Sequence, residues 1–208
     1  MNKLLLTLCI LLISANSFAA VLSQDRLPTG LGTASNWTVS GCSNAWDCVD
    51  DPIGTPDDLT TYLYIQNSGA NRRFTFTAFD ITSTSIISLT VTARCTRTAY
   101  GAVSVRGQIL TTGVGATSST ATEQGVGTGW AYYTFTWTTN PETVGPPTAW
   151  TEEDIEGTGP SPLTEFCMTT LGLDSGEDIK CTQVYATVNY NGVVGSPSKT
   201  IRFNAEDF

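Results

Sequence analysis

From Trp130 to Trp137 the chain reads WAYYTFTW and alternates without a break. Ala131, Tyr133, Phe135 and Trp137 fall on one side of an extended backbone, and Trp130, Tyr132, Thr134 and Thr136 on the other. Period-two alternation of aromatic and β-branched residues specifies a β-strand, because a helical period would scatter the rings around its circumference. Large rings on both faces predict a central strand with a neighbour on each side. The strand ends at Asn140-Pro141, where proline removes a ladder donor and holds the residue before it extended. After a Pro- and Gly-punctuated loop, Trp150-Thr151-Glu152-Glu153-Asp154-Ile155 reads as one anchored helical turn, with Thr151 as N-cap and acids in the first turn.

The same period recurs along the chain. Leu63 and Ile65 oppose Tyr62 and Tyr64, and Phe74, Phe76 and Ala78 alternate with Thr75, Thr77 and Phe79. The longest run puts Ile87, Leu89, Val91, Ala93 and Cys95 inward and Ser88, Thr90, Thr92, Arg94 and Thr96 outward. Val103, Val105 and Ile109 continue the core, residues 111–128 read as a mobile Gly/Ser/Thr-rich loop, and Gly157 to Glu177 as irregular chain. Val184, Ala186, Val188 and Tyr190 close the domain, with a last strand over Lys199 to Phe203. Short strands at regular intervals with one helical turn predict an all-β, antiparallel two-sheet β-sandwich, jelly-roll-like, in a single domain over 41–208. Gly125-Val126-Gly127-Thr128-Gly129 precedes a strand and not a helix, so it is no phosphate cradle.

Residues 1–19 read as a secretory signal: Lys3, then the apolar run Leu4 to Ile13, then the small-x-small exit Ser17-Phe18-Ala19, with cleavage after Ala19 or Ala20. That run is too short to span a bilayer, and no later segment is apolar for long enough. Residues 20–40 read as an extended N-terminal arm or first strand, able to donate to a neighbour's open sheet edge. Secretion makes disulfides the expected fate of the cysteines that remain. Cys42–Cys48 is expected as a local staple and Cys167–Cys181 as a clamp from a loop to the following strand, leaving Cys95 a buried free thiol. Asn36-Trp37-Thr38 is a glycosylation sequon.

Nineteen acidic residues against ten basic give a formal net charge of −9. No basic face is available for phosphates, which argues against nucleic acid and against an anionic membrane surface. The chain has no histidine, which removes most acid–base catalysis near neutral pH and the usual zinc sites.

Several segments together carry a resemblance. They are Trp46-Asp47, Asp50, Asp57-Asp58-Leu59-Thr60-Thr61-Tyr62, Ser88 to Arg94, Thr139-Asn140-Pro141-Glu142-Thr143, Ala149 to Ile155 and Gln183-Val184-Tyr185-Ala186. Over residues 37–190 the pattern resembles a loosely defined group of jelly-roll modules of phage structural proteins and secreted bacterial surface proteins. The resemblance implies a structural or binding role. The signal, the cysteines and the insertion between Ile155 and Lys180 depart from that group and point to a secreted, extracellular form.

Three chemistries compete. Asp47, Asp50, Asp51, Asp57 and Asp58 cluster around the Cys42–Cys48 staple, where hard oxygens suit calcium; the plainer reading is an acidic solvated turn. Trp130 and Tyr132 are candidates for an exposed aromatic platform on which sugar rings stack, unless a second layer covers them. Glycoside hydrolysis needs a carboxylate pair about 5 to 9.5 Å apart, and the acids at Glu142, Glu152, Glu153, Asp154, Glu156 and Glu165 fall mostly in loops. The expectation is therefore a secreted, non-catalytic surface protein with no catalytic residues. It either self-associates through its arm as a filament or appendage subunit, or binds extracellular glycan or protein as a monomer, with calcium as the one conceivable cofactor.

Overall fold

A computed structural model of the chain describes residues 18–35, 37–65, 71–98, 102–113, 115–120, 122–141, 146–159, 162–173 and 178–194. Most of the expected leader, the sequon's Asn36 and the expected strand at 199–203 lie outside the described residues. In chain order the strands are β1 (Phe18–Arg26), β2 (Pro28–Ser35), β3 (Thr38–Ser40), β4 (Tyr62–Ile65), β5 (Asn71–Phe76) and β6 (Ser83–Arg97). They continue as β7 (Ser104–Gly113), β8 (Gly115–Thr120), β9 (Gln124–Gly125) and β10 (Ala131–Trp137), then the helical turn α1 (Glu152–Glu156), β11 (Leu163–Leu171) and β12 (Ile179–Val194).

These form two antiparallel sheets, the expected jelly-roll-like sandwich. Sheet A runs β10-β6-β12-β4-β3, with β1 also on β12; sheet B runs β2-β5-β11-β7-β8, with β9 also on β7. The inner face of sheet A carries Leu89, Val91 and Ala93 from β6, Val184, Ala186 and Val188 from β12, and Tyr133, Phe135 and Trp137 from β10, all buried. Facing them, Phe74, Phe166 and Ile109 stand in register across β5, β11 and β7. Glycine is required at one point of closest approach. A Cβ on Gly107 would lie 2.6 Å from Phe135 Cγ, so a side chain there would push the two sheets apart.

The helical turn forms with Thr151 as its N-cap, as the sequence implies. Thr151 Oγ1 accepts from the Asp154 amide at 3.1 Å, and Asp154 Oδ2 accepts from the Thr151 amide at 3.3 Å, a reciprocal capping box. Gly157 ends the turn in the left-handed region at φ 83°. The buried Trp150 indole donates to the Trp137 carbonyl at 3.3 Å and ties the turn to β10.

Four sequence expectations are corrected, and one open alternative is decided. β10 is an edge strand, paired among the described strands with β6 alone. Side chains stand perpendicular to a sheet, so what covers their rings is the layer above and not a lateral strand. The Gln124 side-chain amide donates to the Thr134 carbonyl at 2.6 Å and occupies part of that edge. Residues 111–128, read as a mobile loop, include β8 and β9 on the edge of sheet B. Within the supposedly irregular segment after Gly157 lies β11, a central strand of sheet B. Its burial shows no alternation, because both of its faces are covered and the period-two signal is erased. Ile87, expected inward, is 39% exposed while Ile86 is buried. A register shift between Asn189 and Tyr190 of the paired β12 reverses the parity there. Finally, of the two readings of residues 20–40, extended arm or first strand, the chain shows strands: β1 pairs with β12 of its own chain and β2 with β5.

The disulfides need a correction too. Cys42 and Cys48 are bonded, with Cα atoms 5.4 Å apart. Cys181, however, is bonded to Cys95 and not to Cys167. Cys95 and Cys181 stand directly opposite on β6 and β12, with Cα atoms 4.1 Å apart on the core side of sheet A. Cys167 belongs to sheet B, in register with Arg73 and Gln108, one residue along from the inward Phe166 row. Its thiol points away from sheet A, so it is the free one, and it is buried.

Candidate functional site

The outer face of sheet A follows from the same parity. Tyr132, Thr134 and Thr136 of β10 stand beside Arg94, Thr92 and Thr90 of β6. On the far side of β6, Gln183, Tyr185 and Thr187 of β12 align with the same three residues. Paired threonine hydroxyls bridge β6 and β10 at 3.2 Å (Thr90 and Thr136) and 3.4 Å (Thr92 and Thr134). The face is therefore hydroxyl-rich, with rings and ions concentrated at one end.

At that end the segment from Gly41 to Thr61 folds over β12 and is fastened to it. Val184 N–H donates to the Val49 carbonyl at 2.9 Å. The wholly buried Gln183 donates its amide to the carbonyls of Asp51 and Pro52 at 2.8 and 2.9 Å, and its Oε1 accepts from the Tyr132 hydroxyl at 3.2 Å. A bulge between Cys181 and Gln183 turns Thr182 to the same loop. The Thr182 hydroxyl lies 3.0 Å from the Thr61 carbonyl and 3.2 Å from both Asp51 Oδ2 and Asp57 Oδ1. Its single proton serves one of these acceptors at a time.

Arg94 closes the arrangement. Its Nε and terminal nitrogen donate to the two carboxylate oxygens of Asp58, each at 2.6 Å, a bidentate fork. Its guanidinium carbon lies 5.0 Å from the Tyr132 ring centroid. The Asp58 carboxylate raises the Arg94 pKa, chiefly through these hydrogen bonds. Asp58 adopts φ 44°, a left-handed conformation that costs a non-glycine residue about 1–2 kcal/mol and persists where its surroundings fix it. The turn presents Leu59 to solvent, 81% exposed.

Beside this loop lies a cavity of about 410 Å³ lined by Asp58, Leu59, Tyr62, Thr96, Arg97, Thr98, Thr128, Trp130 and Lys180. Trp130, at the entry to β10, is half-buried and forms part of its wall, with Tyr62 of β4 also in the lining. Tyr132 stays 43% exposed on the same outer face, held at its hydroxyl by Gln183 and under its ring by Arg94. The Lys180 ammonium lies 4.9 Å from the Tyr62 ring centroid.

The five aspartates, weighed as an acidic turn or as calcium ligands, take part in the hydrogen bonding of the loop, and Asp51 and Asp57 share the Thr182 hydroxyl. Asp57 accepts from the Thr61 amide and hydroxyl, and Asp51 from the Asp57 amide. Asp47 accepts from Asn44, and Asp58 is held by Arg94. Burial, then the neighbouring Asp47, raises the Asp50 pKa. Among the described residues no three His, Cys, Asp or Glu side chains converge on a metal position. Arg94 and Gln183 were not singled out from sequence as site residues, and Asp58 only as a calcium candidate. Yet each falls in a separate piece of the motif set that carried the resemblance, and the fold brings these pieces together. Tyr62, Arg97 and Lys180 carried no sequence signal of a binding role.

Gln183 fastens the loop to β12 through the Asp51 and Pro52 carbonyls and holds the Tyr132 phenol, so Gln183→Leu removes all three hydrogen bonds. Chemical denaturation is expected to show a loss of about 2 kcal/mol, at about 0.5–1.5 kcal/mol net for each hydrogen bond lost. The loop's amide protons, followed by hydrogen exchange, should then exchange at least ten-fold faster than those of β6. Equal protection in wild type and variant would show that the loop is held by other means.

No family model matches the chain, and no curated protein matches it, so the specific grouping with phage structural and bacterial surface proteins finds no sequence support. Solved structures are similar only coarsely. A protein described as a family 16 carbohydrate-binding module 2 shares 10% identity at a TM-score of 0.39, over 73% of this chain and 85% of that one. The N-terminal modules of the Clostridium thermocellum endo-1,4-β-D-xylanase 10B share 8% identity at a TM-score of 0.45, over 86% of this chain and 30% of that one. A domain of bacteriophage CBA120 tailspike protein 4 shares 10% identity at a TM-score of 0.38, over 84% of this chain and 19% of that one. Likenesses this distant carry no binding mode across to this chain.

Proposed function

We propose that the protein is a non-catalytic glycan-binding module of the extracellular space, with the cavity beside Trp130 as its sugar subsite and Tyr132 as the platform next to it. The observation that carries this reading is the cavity itself. It is an opening of about 410 Å³ with an indole and a phenol in its wall and hydroxyls, ions and backbone around them, on the ring-bearing face of sheet A. That volume falls within the range of about 300–1,000 Å³ typical of ligand sites. Sugars present C–H faces that pack on aromatic rings and hydroxyls that need donors and acceptors, and Trp130, Tyr62, Thr96, Thr98 and Thr128 supply both kinds of contact. A non-catalytic role fits the lining: among the described residues Asp58 is its one carboxylate, and Arg94 holds both of its oxygens, whereas glycoside hydrolysis needs an available pair. Two disulfides suit an oxidising compartment. In-chain pairing of β1 leaves the arm-exchange filament without support.

Binding of the mature protein to an array of bacterial, plant and animal polysaccharides tests the proposal. Trp130→Ala is expected to weaken the strongest interaction at least ten-fold, about 1.4 kcal/mol, with thermal stability changed little. A glycan held equally well by Trp130→Ala would place the site elsewhere, and no binding to any polysaccharide would end the reading.

A further inference from the structure

The cavity is a cationic spot on an acidic protein. The chain carries a formal net charge of −9, yet among the described residues the lining holds two cations, Arg97 and Lys180, against one carboxylate. That carboxylate, Asp58, is already neutralised by Arg94, which makes the local balance positive. Neither cation is compensated from within the described residues. Their ion pairs are Arg73–Glu165, Arg94–Asp58 and Arg106–Glu123, and none includes Arg97 or Lys180. Lys180 contacts the Tyr62 ring, which leaves its three donors without a carboxylate. Arg97 Nε is buried and has no hydrogen-bond partner among the described residues, as is the case for Nε of Arg72 and Arg106, so a ligand in the cavity would meet Arg97 through its terminal nitrogens. Of the neighbouring acids, Asp178 lies outside the lining, although its carbonyl accepts from the Thr98 amide at the cavity's edge.

On this basis, and resting on the glycan-binding reading above, we infer that the cavity takes an acidic sugar: a uronate residue whose carboxylate is held by Arg97 and Lys180 while its ring packs against Trp130 and Tyr62. A guanidinium fork matches a planar carboxylate, and an ammonium beside it adds a movable donor. A singly charged sugar suits the site better than a densely sulfated polymer, which the overall negative charge of the protein would repel.

The test uses isothermal titration of the mature protein with short oligomers of galacturonate, glucuronate, mannuronate and guluronate, each beside its own methyl ester. At least one acid is expected to bind ten-fold or more tightly than its ester. Lys180→Gln and Arg97→Gln should each remove about ten-fold of affinity for that acid and cost the ester clearly less, whereas Lys180→Arg retains most of the affinity for the acid. Trp130→Ala should weaken acid and ester alike. If every ester equals its acid, or if neutral glycans alone bind through Trp130, the charge assignment falls and the glycan reading stands. If no saccharide of either kind binds, both fall together. Circular-dichroism melting of each variant within a few degrees of wild type certifies the fold, and a Lys180→Gln protein that melts normally and binds the acid fully overturns the inference.

Discussion

Replacing both partners of the core bond, Cys95→Ala with Cys181→Ala, is expected to lower the melting temperature by roughly 10–18 °C. The two residues are 86 apart in sequence, so the bond closes a large loop of the unfolded chain. Chain-entropy reasoning assigns such a closure about 4–5 kcal/mol, and a domain of this size loses about 2–4 °C per kcal/mol. Cys42 and Cys48 are separated by only 6, a closure worth about 2 kcal/mol on the same reasoning. Removing that staple should therefore cost less than half as much in melting temperature. Its effect should appear instead at the cavity, whose wall the same loop supplies through Asp58 and Leu59. A non-reducing peptide map must also show Cys95 joined to Cys181 and Cys167 free. Burial pushes the Cys167 thiol up to about 11, so alkylating reagents should modify it only after unfolding. Equal melting losses for the two double variants, or a peptide linking Cys167 to Cys181, would contradict the register of β6 against β12.

That bond also marks how far the amino-acid pattern reaches. Alternation disclosed β4, β6, β10 and β12, because each has one face in the core and another outside, and these strands suffice to define a sandwich. It also put Trp130 and Tyr132 on the outward parity. What it could not disclose was which strands lie side by side. Cys95 reads as an ordinary inward residue of β6 until β12 is laid against it. Only that pairing, together with the bulge after Cys181, sets the cysteines opposite and brings Gln183 beside Arg94. The same holds at the cavity. Tyr62, Thr96, Trp130 and Lys180 belong to four different stretches of the chain, and their meeting depends on sheet order, which periodicity within one strand does not contain. β8 and β9 were hidden for another reason: Gly, Ser and Thr look alike in a loop and in an edge strand.

β11 poses the sharpest form of this problem, and Phe166→Ala addresses it directly. Since both faces of the strand are buried, its sequence, LTEFCMTTL, does not say which parity meets the other sheet. The fold assigns Phe166, Met168 and Thr170 to the interior, with Phe166 in register with Phe74 on one side and Ile109 on the other. The Phe166 ring centroid lies 5.7 Å from that of Phe74 and 5.4 Å from that of Phe76, and the residue has no solvent exposure. Truncating it removes most of a ring from the space between two sheets that strand pairing keeps from collapsing. Urea denaturation is therefore expected to show a loss of about 3–5 kcal/mol with an unchanged slope, and Phe166→Leu a loss of about 1–1.5 kcal/mol. Cys167→Ala, equally buried but facing away from sheet A, deletes a single sulfur atom and should cost clearly less than Phe166→Ala. The order of those two losses is the measurement that matters. If Cys167→Ala proved the more damaging, β11 would be turned over, and with it every inward assignment in sheet B.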